Sequence, residues 1–84
     1  MAFYQILYWQ DIPSQVKAWD DFDEIKVELS PKFMAMIDKV AKDKGLVDET
    51  SYLEQWKWSD EQERDGSPEE IAESVKNELE EKFD

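Results

Sequence analysis

The residues best equipped for chemistry stand in one run, Asp20-Asp21-Phe22-Asp23-Glu24, with four carboxylates in five positions. Carboxylates are hard oxygen ligands, so calcium binding is the first chemistry to weigh. The run lacks the alternating ligand spacing, the central glycine and the terminal bidentate glutamate of an EF-hand. It reads as a solvated hairpin turn whose like charges discourage edge pairing. Two carboxylates can also perform acid–base work, as in glycosidases. In a chain with 22 acidic residues, however, a pair of them marks no site.

Other catalytic equipment is missing. The chain has no histidine and no cysteine, which removes the commonest general base, the thiolate nucleophile and the soft metal ligands. The serines at 14, 30, 51, 59, 67 and 74 have no imidazole to activate them. Gly45 and Gly66 lie too far apart for a loop that cradles phosphate. The expectation is a protein that is not an enzyme and holds neither metal nor cofactor.

Aromatic residues make the second feature. Tyr52-Leu53-Glu54-Gln55-Trp56-Lys57-Trp58-Ser59 sets two indoles two positions apart, and Trp9 and Trp19 bring the total to four. On a strand Trp56 and Trp58 share one side; if Tyr52 to Trp56 is helical, Tyr52 and Trp56 share a face instead. Both arrangements favour burial, because aromatic side chains dominate small cores. Trp19 differs, having the opposite parity to Val16 and Ala18. It is expected on the sheet face turned away from the core, in a contact surface with Tyr8 and Trp9.

These residues need elements to hold them. Phe3 to Trp9 is β-branched or aromatic almost throughout, the pattern of a strand covered on both faces. Asp11-Ile12-Pro13-Ser14 is expected to turn the chain. Val16–Trp19 then pairs with Ile25–Leu29 across the acidic run. Ser30-Pro31 opens a helix that ends at Gly45, with Phe33, Met36, Ile37, Val40 and Ala41 on one face and Leu46 and Val47 continuing the stripe. Asp48-Glu49-Thr50 reads as a short helical turn or loop, and a fourth strand is expected from about Glu54 to Ser59, with the following E-Q-E-R-D-G solvated. Ser67-Pro68-Glu69-Glu70 is a capping box. It leads a helix to about Lys82 whose Ile71, Val75, Leu79 and Phe83 recur every four residues. The order βββαβα predicts one α+β domain over residues 1–84: a mostly antiparallel four-stranded sheet with two helices on one face.

Charge narrows the partners. Ten bases against 22 acids leave a net charge of -12, unfavourable for nucleic acid phosphates or anionic lipid. A basic or a neutral apolar partner is easier to accommodate. Residues 60–84 carry eleven acids against Arg64, Lys76 and Lys82, a net of -8. The start Met1-Ala2-Phe3-Tyr4 lacks a basic leader, and no run approaches the length of a membrane span. With no cysteine in need of an oxidising compartment, the expected location is cytoplasmic.

Three segments also resemble a known family. Y-W-Q-D-I-P-S-Q-V at 8–16, F-M-A-M-I-D-K-V-A at 33–41 and Y-L-E-Q-W-K-W at 52–58 are similar to the small bacterial domain family labelled "virulence factor", also found in conserved virulence factor C-like proteins beside an Nfu-type scaffold domain. The resemblance implies a phenotype and no reaction. Iron–sulfur scaffolding does not carry over, because cluster ligands are chiefly cysteine thiolates. The functional expectation is therefore a small acidic protein-interaction module that recognises a protein or itself through an aromatic sheet face. The alternative is a small-molecule-binding accessory protein or enzyme with a Trp/Tyr-lined pocket.

Overall fold

The computed structural model describes residues 1–46 and 48–83. The elements are β1 (Ala2–Trp9), β2 (Ile12–Trp19), β3 (Glu24–Glu28), α1 (Pro31–Asp43), α2 (Glu49–Leu53), β4 (Trp56–Trp58), β5 (Gln62–Arg64) and α3 (Pro68–Lys82). All strand pairs are antiparallel and the spatial order is β3-β2-β1-β4, with β5 also on β1. The fold is α+β. Among the described residues no helix is long and apolar enough to cross a membrane.

The first turn is tighter than the sequence implied. β1 and β2 are joined by Gln10 and Asp11 alone, with Gln10 at φ 53°, the left-handed backbone that two-residue hairpins demand. Ile12 and Pro13, expected in the turn, are buried in β2. Pro13 is tolerated there because the register shifts beside it: Leu7 faces Gln15 whereas Tyr8 faces Pro13, leaving Ser14 as an extra residue. A bulge is where a strand can carry a residue with no N–H to donate.

Alternation divides the sheet into two faces. Tyr4 and Ile6 of β1 lie opposite Ala18 and Val16 of β2, which in turn lie opposite Ile25 and Val27 of β3. This face packs against α3, whose Ile71, Ala72, Val75 and Leu79 are buried. The capping box forms as expected: the Ser67 hydroxyl accepts from the Glu70 N–H, and the Ser67 N–H donates to the Glu70 carboxylate. α1 follows β3 through buried Leu29, meets β2, and buries Phe33, Ile37 and Ala41. Phe33 and Phe83 stand edge to face at 5.6 Å and join the two long helices.

The ends of α1 differ in quality. Gly45 at φ 72° lets its own N–H reach the Lys42 carbonyl and the Leu46 N–H reach that of Ala41, the paired bonds of a Schellman ending. Leu46 packs on the core as expected, while Val47 lies outside the described residues. At the start, Ser30 makes no side-chain cap, and its buried hydroxyl has no partner. Pro31, with no N–H to satisfy, reduces the cost of that missing cap.

The far edge was only half legible. β4 and β5 are one edge strand interrupted by a bulge, since Leu7 faces Trp58 but Tyr4 faces Gln62, one residue too many for continuous pairing. Ser59 holds the jog: its N–H donates to the Ile6 carbonyl at 2.8 Å, and its hydroxyl accepts from the Ile6 N–H at 2.9 Å. Gln62-Glu63-Arg64, expected in solvent, forms β5 because its side chains find partners across the sheet. The Tyr4 hydroxyl donates to Gln62 at 2.8 Å, and Arg64 lies over the Tyr4 ring and makes a two-pronged bond to Glu78 of α3 at 2.6 and 2.9 Å.

Candidate interaction face

The opposite side of the sheet displays three rows of side chains, fixed by the strand registers. One row runs Glu24, Trp19, Phe3, Glu63; the next Lys26, Lys17, Gln5; the third Glu28, Gln15, Leu7, Trp58. Phe3 and Trp58 are 39% and 41% exposed, while Trp19, Leu7 and Lys17 are half-buried among their neighbours. Phe3 and Trp19 stack with centroids 6.0 Å apart and planes 28° from parallel. The Lys17 ammonium sits 5.2 Å from the Trp19 ring and 4.9 Å from that of Trp58. It thus bridges two strands that do not touch, drawn by the negative faces of both indoles.

The face ends where α2 begins. Asp48 caps this short helix by accepting from the Ser51 N–H, a bond that lowers the Asp48 pKa. The Trp9 indole N–H donates to the Tyr52 carbonyl at 2.9 Å, and its ring lies 5.5 Å from that of Tyr52. Trp56 meets the other side of Tyr52 edge to face at 6.1 Å.

Of the three residues expected in a contact surface, the structure places only Trp19 on the open face. Trp9 is 0% exposed and belongs to the core. Its parity matches that of Phe3 and Leu7, but α2 folds over it, which parity alone cannot reveal. Tyr8 alternates to the opposite side from Leu7, packs half-buried against the core, and has its phenol pKa pushed up by burial and by Tyr4. Trp56 packs on the core as expected, whereas Trp58, expected beside it inside, projects from the open face. Sequence reasoning missed Phe3, Leu7 and Lys17 as well. Phe3 and Trp19 become visible as a pair only through the β1–β2 register.

The acidic hairpin is an ordered turn. One Asp20 oxygen accepts from the backbone N–H groups of Phe22 and Asp23, each at 2.8 Å, and these bonds lower the Asp20 pKa. Phe22 projects at 90% exposure. Among the described residues no group of three acidic side chains is placed to hold a metal ion. Among the described residues the surface cavities include two of modest size. One, of about 210 Å³, lies between the end of β3 and the start of α1; the other, of about 170 Å³, lies beside Arg64 and α3. Neither is lined by tryptophan or tyrosine.

The model of the family described as "Virulence factor" matches residues 7–84. The chain belongs to the Virulence factor family. The family match takes in every helix and all of the open face except the part of β1 before Leu7, so Phe3 lies outside it. No curated protein and no solved structure matches the chain.

Proposed function

We propose that this Virulence factor family protein is a non-catalytic protein-interaction module whose contact surface is the open sheet face. The observation that carries the reading is the ordered aromatic surface itself: Phe3 stacked on Trp19, and Lys17 held between Trp19 and Trp58. Exposed aromatic groups rimmed by polar residues characterise protein interfaces. A small-molecule site is less well supported, because both cavities fall below the roughly 300–1,000 Å³ of ordinary ligand pockets. The absence of histidine and cysteine and the scatter of the carboxylates argue against catalysis. The reading includes a cytoplasmic setting, since a chain without cysteine needs no oxidising compartment to fold.

The test is affinity capture from the native cell with wild type, Trp19→Ala and Trp58→Ala. Both variants are expected to remain cooperatively folded, with melting temperatures lowered by no more than several degrees, and to lose the captured protein. Undiminished capture by both folded variants would remove the open face from the function.

A further inference from the structure

The open face is bracketed by acids. Glu24 of β3 and Glu63 of β5 stand at the two ends of the row that contains Trp19 and Phe3, roughly 14 Å apart across four strands at the usual spacing. Glu28 closes the third row at the β3 edge, and exposed Asp21 and Asp23 continue the rim past Trp19. Within the rim the sheet presents two bases, Lys17 and Lys26, directly opposite each other. Lys17 already fills the space between the indoles, so the acids at the rim are the natural seats for a partner's cations. A second copy would bring another net charge of -12 toward the first, and this long-range repulsion opposes pairing of like chains.

We infer that the face binds a segment of a basic protein, with an apolar side chain over Phe3 and Trp19 and lysine or arginine on either side facing Glu24 and Glu63. This rests on the open face being the contact surface proposed above. Aromatic area supplies the affinity, and the acidic rim selects the partner and speeds encounter.

A random peptide display library panned against the 84-residue protein, with counter-selection on folded Trp19→Ala, tests both levels. The expected winners are Trp19-dependent peptides with an apolar residue flanked by lysine or arginine. Their binding should weaken with salt and fall roughly three- to tenfold in the Glu24→Lys/Glu63→Lys double variant. The Glu73→Lys/Glu81→Lys variant of α3, with the same change in net charge, should lose less. Winners that are acidic or uncharged, or equal losses in the two double variants, would overturn the basic partner while leaving the contact face standing. Dimerisation that strengthens with salt and disappears in Trp19→Ala would also overturn it, making a second copy the occupant. A library yielding no Trp19-dependent peptide would defeat both the inference and the contact face beneath it.

Discussion

The two faces of the sheet come from the same strands and the same alternation, yet their apolar residues are held by different means. On one face Ala2, Tyr4, Ile6, Val16 and Ala18 are buried under a helix, so their stabilisation comes from area removed from water, at about 25 cal/mol per Å². On the other face Phe3, Trp19 and Trp58 have no helix across them among the described residues and are held by the Phe3–Trp19 stack and by the Lys17 ammonium. Such contacts contribute only about 0.5–1 kcal/mol each at exposed sites. Cover therefore sets stability, and an aromatic side chain is a core residue or a surface residue according to what lies across it. Trp9 and Trp58 occupy odd and even positions in sequence but the same side of the same β1–β4 ladder; α2 closes over the first and leaves the second open.

The comparison breaks most sharply at Trp9. Trp9→Ala is expected to cost about 3–5 kcal/mol, because it opens a cavity and leaves the Tyr52 carbonyl without its indole donor. Chemical denaturation measures this, and a loss below about 1 kcal/mol would mean that α2 does not seal the end of the sheet. Ile37→Ala should follow, at about 2–5 kcal/mol, since Ile37 has no exposure. An unchanged denaturation midpoint would place the α1 stripe elsewhere.

Smaller effects sharpen the picture. Trp19→Ala removes the Phe3 stack and one Lys17 contact and should cost no more than about 1–2 kcal/mol; a loss as large as that expected for Trp9→Ala would move Trp19 into the core and leave the open face without its central residue. Ser67→Ala removes the capping box under α3 and should cost about 1 kcal/mol, read as a lower midpoint with the denaturant slope unchanged. The Arg64 bond holds the Glu78 carboxyl below its ordinary pKa. The pair therefore stabilises the fold above the unfolded carboxylate value, and that contribution is lost as pH falls through the lowered folded value. With both side chains substantially exposed, the contribution is at most about 1 kcal/mol. Glu78→Gln should make stability fall less steeply below about pH 4.5, and an acid limb identical to wild type would remove β5–α3 pairing from the account.

Much of this architecture is written locally in the chain. Ser67 and Glu70 define the start of α3, Gly45 defines the end of α1, and the alternation of Ile25, Val27 and Leu29 defines a half-covered strand. Each signal acts within a few residues and depends on backbone geometry or on a single buried face, so sequence alone determined the two long helices α1 and α3, the β2–β3 hairpin and the α+β class, whereas α2 read only as a helical turn or loop. The parity of Trp19 belongs to the same group. Charge and composition likewise set the net -12 and the lack of imidazole and thiol. What only the tertiary structure decided depends on residues far apart in the chain: the Ser14 bulge that admits Pro13, the Ser59 jog that turns Gln62–Arg64 into a strand, and the choice of Trp9 over Trp58 for burial. The registers with Leu7 and Trp9 put both Trp58 and Trp56 on the side of the sheet away from α3, and α2 then covers one end of it. Periodicity tells which residues share a side, but cover belongs to whatever element folds back across that side, and no local pattern encodes its arrival.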